Sequence, residues 1–157
     1  MNGMAIRTAV VPLADVFPLR WEVLRPGLPQ ESAAFPEDAG PGAFHIAAFG
    51  PGPSGGAVLG CGSFYPEPFP RPGGPAGTAY RIRGMASAEA ARGHGYGAAV
   101  LAAGSREAAA RGARVLWCNG RAEARAFYER HGYRVHGEEF VIEGVGPHYV
   151  LVRELDA

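Results

Sequence analysis

The sequence predicts an α/β domain on a mixed, mostly antiparallel sheet, and three observations carry that prediction. Residues 78–155 read as strand, helix, strand, helix, strand, strand, with short apolar runs alternating with helical stretches, one of them rich in Ala. The helix between the strands at 78–86 and 114–118 is long enough to make a crossover, which sets those two strands side by side and parallel. Eleven of the fourteen prolines fall between Pro26 and Pro75, so that region must be loops framing short strands rather than long helices. At 157 residues the whole chain, 1–157, has the length of one domain.

The elements follow in order. Residues 4–11 read as a first strand, and Asp15 is placed to cap a helix running to about Leu24, with Pro18 tolerated in its first turn and Pro26 ending it. Residues 44–49 and 57–65 are apolar runs separated by a Gly- and Pro-rich turn, the pattern of a hairpin with a long loop. The stretch 66–77 has no periodicity and is either a lid or a plain connector. A strand at 78–86 leads through a Gly-rich turn into a helix over 98–111, ended by Gly112. A strand at 114–118, a helix at about 122–131 stopped by Gly132, and strands at 133–142 and 148–155 complete the chain.

Composition narrows the function classes. Hydrophobic residues make up 47% and charged residues 19%, which is globular rather than disordered. Fifteen basic residues balance fifteen acidic ones, so the chain as a whole has no electrostatic footprint for nucleic acid or an anionic membrane. All fifteen basic residues are Arg. Without Lys, a Walker-type phosphate loop, a Schiff-base lysine and a pyridoxal-phosphate anchor are excluded. Cys61 and Cys118 lie far apart in apolar runs, as buried reduced thiols of a cytoplasmic protein do, and neither a signal peptide nor a membrane span is apparent.

The chemistry concentrates in Ala91-Arg92-Gly93-His94-Gly95-Tyr96-Gly97-Ala98, between a strand and a helix. Alternate glycines let backbone N–H groups converge where the next helix exposes its own unpaired N–H groups, which makes a cradle for phosphate with Arg92 at its rim. The alternative is a tight turn without a ligand. A dinucleotide fingerprint would need a carboxylate about 20 residues on, and Trp117-Cys118-Asn119 supplies none. The surviving pattern is Arg/Gln-x-x-Gly-x-Gly/Ala, met by Arg92, Gly95 and Gly97.

With that loop, with Asn119, and with Ala126-Phe127-Tyr128-Glu129-Arg130-His131-Gly132-Tyr133, the sequence resembles the GCN5-related N-acetyltransferase superfamily. The strand Tyr80-Arg81-Ile82-Arg83-Gly84-Met85-Ala86 is similar to the one leading into the loop in many bacterial members. The resemblance implies a central sheet whose parallel middle strands splay apart, with helices on both faces. It implies transfer of an acetyl group from acetyl-CoA to a primary amine of a small molecule or a protein. Arg92, Gly93, His94, Gly95, Tyr96, Gly97 and Ala98 would then seat the pyrophosphate. Met85 and Ala86 would offer a backbone N–H to the developing oxyanion through a bulge or splay, and Asn119 would pair with the pantetheine arm. Tyr128 matches the family's general acid for the leaving sulfur, its phenol near the pKa of a thiol. The bland alternatives are a core aromatic at Tyr128 and a turn residue at Asn119.

No motif assigns the general base. Glu67, Glu138, Glu139, His148 or a water are the candidates, and Arg25 and Arg83 are candidates for holding an acidic acceptor. His131 and His136 lack a third partner at metal-binding spacing, so no metal is expected. No nucleic-acid or membrane partner is expected, and a homodimer is common in the family. Two other readings remain open on the sequence alone: a non-catalytic acyl-CoA-binding module on the same fold, and a nucleotide-binding regulatory domain.

Overall fold

The computed structural model describes residues 6–52 and 56–155, so Met4 and Ala5 of the first anticipated strand lie outside the described residues. Among the described residues, seven strands form one sheet in the order β1-β2-β3-β4-β5-β7-β6. They are β1 (Arg7–Val11), β2 (Phe44–Phe49), β3 (Val58–Pro66), β4 (Ala79–Ser87), β5 (Val115–Arg121), β6 (Arg134–Ile142) and β7 (Gly146–Glu154). Every neighbouring pair is antiparallel except β4 and β5, which run parallel as the crossover requires.

Helix α1 (Leu13–Leu24) and helix α2 (Tyr96–Ala110) cover opposite faces. Strand alternation sends Phe44, Ile46, Phe64, Tyr80, Ile82 and Leu116 toward α2, where Val100 and Leu101 complete the main core. Ala47, Cys61 and Ala86 face the other way and pack on Val16 and Leu19 of α1. The short helix α3 (Arg125–Arg130), entered through a 3₁₀ turn at Ala122–Ala124, adds Tyr128 to the α2 side. Beyond α1, the same face of β4 and β5 is covered by the 66–77 stretch: Phe69 stands edge-on to Trp117 at 6.2 Å, and the Trp117 indole N–H donates to the Glu67 carbonyl at 2.9 Å. That stretch is therefore a packed cover for the sheet.

Several local expectations shift. Asp15 does not cap α1; Pro12 holds that position in an extended conformation, and Asp15 sits in the first turn, its N–H donating to the Pro12 carbonyl at 3.0 Å. Pro18 is consequently inside the helix, past the first turn, where it has no N–H to offer. Helix α2 starts at Tyr96, two residues earlier than expected, which places Gly97 inside the first turn. Strand β5 runs on to Arg121 because β7 pairs with it as far as Arg121 opposite His148.

The α1 face also hides a polar network. Arg20, 1% exposed, grips both oxygens of Asp38 at 2.7 and 2.9 Å and donates to Ser63 Oγ at 2.6 Å. His45 Nε2 lies 3.2 Å from the Asp38 carbonyl and must donate to it, so Nδ1 accepts the Ser63 hydroxyl at 2.7 Å. Tyr65 donates to Asp38 at 3.2 Å. A buried charge is tolerated only when paired and hydrogen-bonded in this way, and removing one partner would cost several kcal/mol, about 3–5.

Candidate active site

The parallel pairing of β4 and β5 is confined to Ala79–Arg81 against Val115–Trp117. Past that point β4 stays with β3 and β5 stays with β7, so the two strands part and leave a cleft. A cavity of about 750 Å³ fills it, walled by Met85, Ala86 and Ser87 on one side and by Cys118, Asn119 and Gly120 on the other. The β4 wall is bulged. Cys61 pairs with Ala86 and Ser63 with Arg83, so Gly84 and Met85 together oppose Gly62 alone. The extra residue reverses the alternation: Ile82 and Met85 face the α2 core, whereas Ala86 faces α1.

The cavity ends at the start of α2. Gly95 is the N-cap in the left-handed region, with φ of +93°, a conformation that glycine adopts without a steric cost. The first helical bond is Ala99 N–H to the Gly95 carbonyl at 3.0 Å, so Tyr96, Gly97 and Ala98 have no acceptor within the helix. All three line the cavity, together with Arg92, Gly93 and Gly95. An anion is favoured at such an end by the N–H groups and the helix dipole together. His94 differs from the expectation: it is exposed, outside the cavity wall, and its N–H is occupied by the Ala91 carbonyl at 3.2 Å.

Asn119 lies within β5 opposite Val150, half-buried, and lines the cavity. Tyr128 reaches the same wall from α3 but is only 6% exposed, its ring edge-on to Phe127 and Tyr133 at 5.2 and 5.4 Å. Burial, reinforced by the neighbouring Cys118 and Tyr133, pushes its phenol well above the ordinary value of 10. The anticipated match to a thiol therefore does not hold for the free protein. What burial gives instead is a phenol that stays protonated and able to donate. Cys118 and Cys61 are buried free thiols, both pushed up to about 12 by burial.

Of the base candidates, His148 alone lines the cavity. It is 4% exposed on β7, and its Nδ1 lies 2.7 Å from the Gly146 carbonyl, a contact that requires Nδ1–H and leaves Nε2 as an acceptor in the neutral ring. Glu67 turns away to Arg81 at 3.4 Å, and Glu138 and Glu139 are exposed on β6. His131 Nδ1 meets the Phe127 carbonyl at 2.8 Å and His136 Nε2 the Pro72 carbonyl at 3.2 Å, so they have separate partners. Among the described residues no three His, Cys, Asp or Glu side chains group as a metal site would need, and no helix is long and apolar enough to cross a membrane.

Sequence reasoning missed Phe127, Arg121 and Arg130 as parts of this wall. Phe127 closes on the helix start, where a Cβ on Gly97 would lie 3.3 Å from its ring. The motif contained Phe127 as a pattern residue, yet only the packing of α3 against α2 gives it a place.

The model of the Acetyltransferase (GNAT) family matches residues 13–133, and the chain belongs to that family. YitI of Bacillus subtilis (strain 168), an uncharacterized N-acetyltransferase, is 29% identical over 150 residues, spanning 96% of this chain and 97% of the relative. Among solved structures, a GCN5-related N-acetyltransferase from Kribbella flavida is similar with a TM-score of 0.68 and 26% identity, covering 96% of this chain and 98% of that one. The Corynebacterium glutamicum structure of histone acetyltransferase HPA2 and related acetyltransferase has a TM-score of 0.74 at 15% identity over 98% of each chain, and bears on the fold alone. The fold is thus that of the acyl-CoA N-acyltransferases, a mixed sheet with a parallel pair at its splayed centre.

Proposed function

We propose that this chain transfers the acetyl group of acetyl-CoA to a primary amine. The observation that carries the reading is the cleft itself: the parted strands and the unpaired start of α2 line one cavity, and that cavity gathers every residue anticipated for the donor and for the acid except His94, and His148 from among the anticipated bases. The residues fit a phosphorylated donor, because Tyr96, Gly97 and Ala98 offer backbone N–H groups and Arg92, Arg121 and Arg130 offer guanidinium groups along the same wall. Acetyl-CoA supplies the activated acetyl thioester when bound.

The chain's own residues have three tasks. The bulge at Gly84 and Met85 breaks the ladder while Ala86 stays paired with Cys61, so in this reading the backbone N–H of Met85 faces the carbonyl oxygen as negative charge gathers on it. Tyr128 holds a proton at its hydroxyl for the departing sulfur, and the apolar surroundings that raise its phenol raise a thiolate there as well, which preserves the driving force for transfer. His148 accepts the proton of the acceptor amine at Nε2 while Gly146 holds its other nitrogen.

Calorimetric titration of CoA into the purified chain, followed by detection of free thiol released from acetyl-CoA across a panel of amines, tests the reading. Binding with amine-dependent thiol release is the expected result; no CoA binding overturns it, and binding without release from any amine leaves a carrier module instead. His148→Gln should lower kcat while KM for acetyl-CoA is unchanged.

A further inference from the structure

The chain is electrically neutral, yet among the described residues the cavity wall carries six arginines against one carboxylate, Glu123. Arg92, Arg121 and Arg130 belong to the loop before α2, to β5 and to α3. The other three lie elsewhere. Arg81 and Arg83 precede the bulge on the α1 face of β4, and Arg25 is the C-cap of α1 above them.

Within the protein these three are incompletely neutralised. Arg81 reaches Glu67 at 3.4 Å and Arg83 reaches Glu37 at 3.5 Å, both long for a charge-assisted bond and both between partly exposed groups. The Arg25 guanidinium donates to the Leu24 carbonyl, which carries no charge. Arg83 is also seated rigidly, its guanidinium stacked 3.8 Å from the centre of the Phe35 ring, and Phe35 lines the same cavity. Burial, then the cation of Arg81 and more weakly that of Arg20, act against its charge, and Tyr65 and Glu37 only partly offset them. A fixed guanidinium with donors left over on a cavity wall is suited to a planar anion.

We infer that the acceptor is a small amine carrying its own anionic group, of the amino-acid type, with that group held by Arg83 and Arg81 and with Arg25 closing from α1. This rests on the acetyltransferase reading above. The same cations serve the reaction in a second way: beside them an ammonium is disfavoured relative to the neutral amine, and only the neutral amine attacks. A purely cationic acceptor, such as a polyamine, would be repelled by this wall. An anionic group in the acceptor compensates for that repulsion.

The test uses the full chain saturated with CoA, after CoA affinity has been measured for wild type, Arg83→Gln and Arg81→Gln. Each α-amino acid is titrated beside its C-terminal amide, which keeps shape and amine but removes the carboxylate, and O-phosphoethanolamine is titrated beside ethanolamine. At least one anionic member should bind about 10- to 100-fold more tightly than its neutral partner, the value of one charged hydrogen-bonded contact. The preference should collapse in Arg83→Gln while CoA affinity and melting temperature hold. Preference in the amino-acid pairs marks a carboxylate, and preference in the ethanolamine pair a phosphate. Equal or tighter binding of the neutral partners throughout overturns the inference, as does a preference that survives both substitutions. Loss of CoA binding in the wild type overturns the acetyltransferase reading instead, and this inference with it.

Discussion

A Cβ placed on Gly84 would lie 2.8 Å from Nε of Arg20, so the bulge in β4 rests directly on the buried guanidinium of α1. Arg20 cannot move aside, since Asp38, Ser63 and the Ala33 carbonyl hold its other nitrogens. The polar network under α1 and the shape of the cleft are therefore one structure: the network is the floor on which the bulge sits.

Gly84→Ala tests that dependence. The left-handed φ of +66° costs an alanine about 1–2 kcal/mol, and the clash with Arg20 and with Phe35 at 3.4 Å adds to it. Gly144→Ala is the control, because it has φ of +81° with nothing within 4 Å and so bears the backbone cost alone. Both variants should melt lower, at roughly 2–4 °C per kcal/mol for a chain of this size, and Gly84→Ala should melt lower than Gly144→Ala. Equal losses would show that the Arg20 contact is slack.

The same network makes stability depend on pH. Burial pushes His45 below its ordinary 6.5, against the pull of the Asp38 carbonyl. Burial tends to raise Asp38, but the bonds from Arg20 and Phe35 N–H outweigh it and leave the carboxyl below 3.8. Both groups bind protons more weakly folded than unfolded, so both contribute stability above their unfolded values that is lost on acidification. The melting temperature should be level from about pH 7 to 8, fall as pH drops below about 6.5, and fall again below about 4. His45→Phe should abolish the first decline and keep the second; an unaltered first decline would assign it to another group.

Much of this was legible in the chain because it is written locally. The crossover, the hairpin at residues 44–65 and the Gly-rich loop each depend on neighbours in sequence, and β2 was placed at its observed bounds. The Arg20 network was not legible: Arg20, Asp38, His45, Ser63 and Tyr65 come from separate segments, and each alone reads as a surface polar residue or a strand position. Asn119 was placed beyond its strand because the length of β5 is set by β7, thirty residues later. Of the four side chains named as base candidates, only His148 lines the cavity, and it is β7 folding back beside β5 that brings it there.

The proposed phosphate seat is best probed at Arg92. A glutamate at Gly95 would strain a backbone at φ of +93°, so lost affinity there would mix misfolding with repulsion. Arg92 is exposed, and Arg92→Glu reverses a charge on the cavity wall without disturbing the core. CoA affinity should fall by roughly 10-fold or more, since a charge-assisted contact is replaced by repulsion, with the melting temperature within about 2 °C of wild type. Calorimetry returning the wild-type affinity would move the phosphates away from this loop.

Tyr128 separates chemistry from packing most sharply. Its hydroxyl sits in a buried aromatic group with Phe127 and Tyr133, so Tyr128→Phe removes one oxygen and leaves the rings in place. As the proposed acid it acts when the sulfur leaves and hardly before, so kcat should drop by roughly 10²- to 10⁴-fold while KM for acetyl-CoA stays put. As a core tyrosine it would show the reverse: a stability change on the order of 1 kcal/mol and turnover nearly unaltered in the folded molecules. A third outcome discriminates further, because a donor that waits in its protonated form should give wild-type enzyme a rate flat toward alkaline pH past 10, the ordinary phenol value that burial has moved upward. Full activity in the phenylalanine variant would return Tyr128 to the core and leave the sulfur's proton to water, with the cleft and its anion seat untouched.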